Sequence, residues 1–107
     1  METASLPRIG YGYVRGDLAP EDTEQRKAKI EAKAEELDVG LSHIFVEPVP
    51  GDLQDFNKLL GALRLHLYSV TDVVVILNSP QDVGRRRWAQ DWAQARLDSL
   101  DVRIVFT

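Results

Sequence analysis

Asp72-Val73-Val74-Val75-Ile76-Leu77 is an unbroken apolar run, mostly β-branched, that follows a single carboxylate. The run has the length of a strand, and β-branched side chains favour a pleated backbone over a helix. A strand with one face in water would alternate apolar and polar positions, and this one does not. It therefore reads as a parallel strand buried on both faces, which requires helices above and below its sheet. That reading makes the chain an α/β protein.

Working upstream, Leu53, Phe56, Leu59, Leu60, Leu63 and Leu67 recur at helical spacing and form a wide apolar stripe, with Asp52 expected as the N-cap. Before that helix, His43 to Val46 reads as a short strand closed by Pro48, Pro50 and Gly51. Pro20 to Leu37 is rich in Ala, Glu, Lys and Gln, all good helix formers. Its stripe is only Ile30, Ala34 and Leu37, so it is expected to lie on the surface, with Gly40 as a stop. Arg8 to Val14 reads as the first strand, broken by Gly16, Asp17 and Pro20.

Downstream, Gln81 to Leu100 reads as a third helix region, with Trp88, Ala89, Trp92, Ala93 and Leu97 on one side. Val102 to Phe106 is the last strand. The order β-α-β-α-β-α-β, without internal repeat or linker, predicts right-handed crossovers and a mostly parallel four-stranded sheet. The expected architecture is three-layered and flavodoxin-like, with strand order 2-1-3-4. Residues 1–107 are expected to form a single domain, with 1–7 flexible.

The chain has 107 residues, 44% hydrophobic and 28% charged, as an ordinary globular protein does. It contains no cysteine, which excludes disulfides, thiolate catalysis and zinc–thiolate sites. Met1 to Pro7 lacks the basic start and apolar run of a signal peptide, and no stretch reaches the roughly 18 apolar residues of a membrane helix. No membrane partner and a cytoplasmic location are expected. A net charge of −4 argues against a protein that coats nucleic acid, because such proteins release counterions from phosphates with Lys and Arg.

In open α/β sheets ligands bind beyond the carboxyl ends of the strands, where strand order reverses. Here that rim holds Arg15, Gly16 and Asp17 after the first strand and Asn78, Ser79 and Pro80 after the third. Arg85, Arg86 and Arg87 follow near the start of the last helix. Arginines there oppose the helix macrodipole, a conflict that a bound anion would relieve and that solvation or acidic partners would also settle. Arg15, Arg85, Arg86 and Ser79 are thus the anion-binding candidates.

Asp17 is either a turn residue or a metal ligand or base, but no further carboxylates converge with it after the third strand, so no metal and no cofactor are expected. No carboxylate or serine stands at triad spacing to His43 or His66. Trp88 and Trp92, at i and i+4, read either as core anchors or as a partner surface. Gly10, Gly12 and Gly16 lack the arrangement of a dinucleotide-binding turn.

Gly12-Tyr13-Val14-Arg15-Gly16-Asp17 resembles the opening of the serine recombinase (resolvase/invertase) catalytic domain, whose first strand reads Gly-Tyr-x-Arg-Val-Ser. Gln25 falls where that family's first helix carries Gln. Ile44-Phe45-Val46-Glu47 is similar to its Ile-Phe-x-Asp second strand, and Asp72 to Leu77 is similar to its third. Gly84-Arg85 resembles the end of its Leu-Asp-Arg-Leu-Gly-Arg loop.

The resemblance implies a resolvase-like sheet and, equally, a degenerate and truncated member. Asp17 stands where the family's nucleophilic serine attacks DNA phosphorus. Phe56 stands where its second helix carries a phosphate-binding arginine, and Gln81 and Asp82 fall near its loop Asp-Arg pair. Family members continue past the fourth strand into a long dimerisation helix and a DNA-binding domain.

The expectation is a catalytically inactive resolvase-like domain, a pseudoenzyme serving as a binding, oligomerisation or regulatory module. Its partner would be another protein or a second copy, reached through Trp88 and Trp92, with DNA binding weak. The alternative is a flavodoxin-like small-anion or nucleotide binder, or an enzyme, using Arg15 and Arg85 for phosphate.

Overall fold

Strands and helices alternate along the whole chain in a computed structural model that describes residues 8–16, 18–48, 53–66, 72–83 and 86–107. Strand β1 (Arg8–Val14) leads to helix α1 (Pro20–Glu36), strand β2 (Gly40–Val46) and helix α2 (Gln54–Arg64). Strand β3 (Asp72–Leu77), a short 3-10 helix (Pro80–Val83), helix α3 (Arg87–Asp98) and strand β4 (Arg103–Phe106) follow. Expectations for residues 1–7, Asp17, Pro50, Gly51, Asp52, Leu67, Gly84 and Arg85 lie outside the described residues.

All pairings are parallel, as the alternation of elements predicts, and the sheet order is β2-β1-β3-β4, the order expected of a flavodoxin-like sheet. β1 is central, with Tyr13 opposite Phe45 on one side and Leu77 on the other. Alternation sorts β3 between two cores, as successive side chains of a strand must point to opposite faces. Val73, Val75 and Leu77 join Tyr11 and Tyr13 in the larger core under α2 and α3. Val74 and Ile76 join Val14 in the smaller core under α1. The apolar run is therefore buried on both faces, and the molecule has three layers.

α1 lies on the sheet through Ile30 and Ala34, with Leu37 at the margin, which is the thin stripe of its sequence. It approaches closely because Gly12 has no side chain: a Cβ there would stand 2.7 Å from Ile30 Cγ2. Gly12 thus serves helix–sheet contact. α2 buries Phe56, Leu59, Leu60 and Leu63, each contributing about 1.5–3 kcal/mol of apolar transfer.

Several boundaries differ from the sequence reading: β2 begins at Gly40, not His43, so Gly40 opens a strand instead of stopping α1. α2 starts after Leu53, which holds the N-cap position with a left-handed φ of 56° and no side-chain cap, so the N-cap is one residue beyond Asp52. The region from Gln81 to Leu100 is not one helix: a 3-10 turn precedes α3, which begins only at Arg87. The buried face of α3 is Ala93 and Leu97. Trp88 is 68% exposed and Trp92 37%, so Trp88 is not a core anchor. The small Ala93 side chain brings the helix axis close to the sheet and leaves the indoles at its outer flank.

Candidate functional site at the carboxyl rim of the sheet

Parallel strands present their carboxyl ends on one rim, and β1 and β3 are adjacent at the point where strand order reverses. Glu47, just past β2, anchors one side of that rim. Its amide donates to the Val14 carbonyl at 3.0 Å, continuing the β1–β2 ladder by one rung. Gly16 crosses directly above, so that a Cβ at Gly16 would overlap the Glu47 carbonyl oxygen. Only glycine allows the chain leaving β1 to pass the end of β2 this closely.

The Glu47 side chain turns inward and is 3% exposed. Its Oε1 accepts a hydrogen bond from the Phe56 amide at 2.8 Å. That amide belongs to the first turn of α2, whose N–H groups have no partner within the helix. Glu47 thus caps α2 from nine residues upstream, doing what an N-cap side chain does locally. The other oxygen, Oε2, is buried without a hydrogen-bond partner.

Burial, and next the Glu47 carboxylate, push the Tyr13 phenol far above its ordinary value, and Asp55 and Asp82 act in the same direction.

Asp82 anchors the other side. Its side chain is fully buried, and Oδ1 accepts from Arg26 Nη1 at 2.9 Å. Oδ2 accepts from the Asn78 amide at 3.2 Å. Asn78 Nδ2 donates to the Arg26 carbonyl at 3.3 Å, and the Thr107 hydroxyl donates to Asn78 Oδ1 at 2.9 Å. This network ties α1, the end of β3 and the end of β4 together. Burial raises the Asp82 carboxyl above its ordinary value. Arg26 opposes the rise most, then the amides of Asn78 and Ser79, and then Arg15.

Arg15 and Ser79, both half-buried, thus act on the same carboxylate. Arg86 does not join them in the Asp82 network: it is exposed at the N-cap of α3, where its carbonyl accepts from the Ala89 and Gln90 amides. Asp17 and Arg85 lie outside the described residues. Arg87 pairs only loosely with Asp91, at 4.0 Å with both side chains exposed.

His43 packs edge-on against Phe45, and His66 shares a 2.9 Å hydrogen bond with the Tyr11 hydroxyl. Among the described residues no group of three or more His, Asp or Glu is placed to hold a metal ion. No helix among them is long and apolar enough to cross a membrane.

Phe56 occupies the place of greatest consequence. Its side chain is completely buried, edge-on to Tyr13 with ring centroids 5.5 Å apart and tilted against Trp92 at 6.0 Å. It is a core residue, with no path to a ligand on the rim.

The same arrangement of sheet and helices occurs in a crystal structure of the C-terminal catalytic domain of ISC1926 TnpA, an IS607-like serine recombinase. The two superpose with a TM-score of 0.74 at 13% sequence identity, over 92% of this chain and 68% of that one. The fold is resolvase-like. At that identity the likeness concerns the fold alone. No protein-family model matches the sequence, and no curated protein matches it significantly.

Sequence reasoning singled out Arg15 and Ser79 but not Glu47, Asp82 or Arg26 as parts of this rim. Glu47 had one available signal: an acid directly after a strand, shortly before a helix whose Leu53 cannot cap it. The Arg26–Asp82 pair spans 56 positions and leaves no local pattern.

Proposed function

We propose that this chain is a catalytically silent resolvase-like domain that serves as a binding, oligomerisation or regulatory module. The observation that carries the reading is the charge of the rim. Two carboxylates, Glu47 and Asp82, are buried at the rim, and Asp82 takes up one nitrogen of the Arg26 guanidinium. Transferring a phosphoryl group needs cations around its oxygens, and each lost donor costs about 10²–10³ in rate. The position that the resemblance assigns to a phosphate-binding arginine is Phe56, sealed in the core. Asp17 replaces the serine nucleophile and adds another negative charge against a phosphodiester.

The binding role rests on α3. Trp88 is exposed, and Trp92 is overlaid by Arg96 at 5.3 Å from its ring centre. Tryptophan and arginine together are the residue types that dominate protein–protein affinity. A protein partner or a second copy fits such a surface better than DNA does, given the net charge of −4. Cytoplasmic residence belongs to the same proposal.

The test is incubation of purified protein with supercoiled plasmid, followed by separation of nicked, linear and joined products. No product is expected above a buffer control. Nicking or joining that disappears in Asp17→Ala overturns the proposal.

A further inference from the structure

Among the described residues, α2 and α3 cover one face of the sheet and α1 covers the other, lying over β1, β2 and β3. Space therefore remains beside α1 on the β4 side. An open groove of about 580 Å³ occupies it, walled by the flank of α1 and the carboxyl ends of β3 and β4. That volume falls within the range of about 300–1,000 Å³ typical of small-molecule sites, and far exceeds what a bare ion fills. Arg15, Arg86, Glu47, Asp55 and Asp82 are not among its lining residues.

The groove is basic on balance, three cations against the one carboxylate of Glu36, in a protein that is acidic overall. Arg26, Lys29 and Lys33 line it from α1, and their i, i+3, i+7 spacing sets them in a row about 10 Å long at about 1.5 Å rise per residue. The three cations differ in how they are held. Arg26 is fixed through Nη1 by buried Asp82, which leaves the other donors of its guanidinium fork for a ligand. Lys33 meets Glu36 at 3.6 Å, in a pair whose carboxylate is exposed and so weakly held. Lys29 is exposed and has no ion-pair partner among the described residues.

Opposite this row stand Asn78, Ser79 and Gln81, an amide, a hydroxyl and an amide that both donate and accept. A carboxylate ligand would need only the arginine fork. A phosphate monoester, dianionic and with three terminal oxygens, uses a fixed guanidinium and a mobile ammonium together.

We propose that this groove binds a small organic phosphate, with the phosphate against Arg26 and Lys29 and the organic part along the Asn78–Gln81 wall. The site requires only the resolvase-like fold. It does not depend on whether the domain has lost catalysis, and its ligand would be a small molecule rather than a DNA strand.

Amide chemical shifts of the labelled protein, followed on titration with AMP, adenosine and inorganic phosphate, test the proposal. AMP is expected to shift the amides of Lys29, Ser79 and Gln81 saturably, adenosine to leave them unmoved, and inorganic phosphate to bind more weakly at the same place. Lys29→Glu, an exposed change that leaves the core intact, is expected to weaken AMP by about tenfold or more, and Lys29→Gln by less. Arg87→Glu on α3 is expected to change nothing.

The proposal is overturned if AMP produces no saturable shift in the folded protein, or shifts centred away from the groove. Adenosine binding as well as AMP, or an affinity unaffected by Lys29→Glu, overturns it too. Inorganic phosphate binding as tightly as AMP removes the organic part of the claim and overturns it as stated.

Discussion

Replacing Glu47 separates the structural role of the rim from its charge. Glu47→Ala leaves the Phe56 amide, buried in the first turn of α2, without its 2.8 Å acceptor. An orphaned buried N–H costs about 1–3 kcal/mol, and loss of a helix cap costs about 0.5–2 kcal/mol. These describe the same bond, so they do not add. Against them stands relief from burying Oε2, which has no hydrogen-bond partner. The expected net loss is about 2 kcal/mol, or roughly 8 °C in Tm for a domain of this length.

Glu47→Gln keeps an oxygen for the Phe56 amide and removes a charge buried beside Tyr13, so its cost is expected below about 1 kcal/mol. Urea denaturation followed by circular dichroism measures both variants. Hydrogen exchange at the Phe56 amide adds a local readout, accelerated in Glu47→Ala and unchanged in Glu47→Gln. Equal losses in the two variants, or Glu47→Ala within about 0.5 kcal/mol of wild type, would refute the capping argument.

The remaining predictions concern the core, the outer flank of α3 and pH. Trp88→Ala is expected to change stability by less than about 0.5 kcal/mol, as exposed positions do. Trp92→Ala should cost about 1–2 kcal/mol through its contact with Phe56 and Arg96; equal losses in thermal melts would contradict the placement of the indoles. Gly12→Ala places a Cβ 2.7 Å from a side-chain methyl of Ile30, and Gly16→Ala places one on a backbone carbonyl. Overpacking costs about 1–3 kcal/mol, and Gly16→Ala should be the worse because backbone yields less than a side chain, an order that paired urea melts check.

For Asp82 the folded-state carboxyl lies above its ordinary value, so the folded state holds this proton more tightly than the unfolded chain does. Its contribution to stability is fully present below the unfolded value and is lost as pH rises through the folded one. Wild type should therefore lose stability relative to Asp82→Asn as pH rises from the ordinary carboxylate range towards neutrality. A pH-independent difference in urea midpoint would contradict the shift.

Most of the fold was legible because it rests on patterns that are local. The five-residue apolar run Val73–Leu77 of β3 shows no alternation, and the structure buries it from both sides. The Ile30–Ala34 pair announced a surface helix, and the alternation of elements announced a parallel sheet. The tryptophans were harder to place, because hydrophobicity ranks indole with leucine while geometry gave the inward position to Ala93 and Leu97. Which residues of a mixed face turn inward depends on where the helix begins, and α3 begins six residues later than its sequence pattern indicates.

At the site, Arg15 and Ser79 could be found from topology alone, since they follow β1 and β3. Glu47 and the Arg26–Asp82 pair could not. Arg26 and Asp82 are partnered across 56 positions, and burial of the Glu47 carboxylate depends on a donor that only the folded backbone supplies. Gly10 and Gly12 lack the arrangement of a dinucleotide-binding turn, and their missing side chains make room for Val39 and Ile30.

The claim on which the functional reading turns is that the rim itself, and not merely the absent serine, forbids phosphodiester chemistry. Asp17→Ser puts a hydroxyl where the resemblance places the family's nucleophile, while leaving Phe56 in the core and Glu47 and Asp82 buried. Incubated with end-labelled duplex DNA and run on a denaturing gel, this variant is expected to give no covalent protein–DNA band. A labelled band at the mass of protein plus DNA, absent from wild type, would contradict the account.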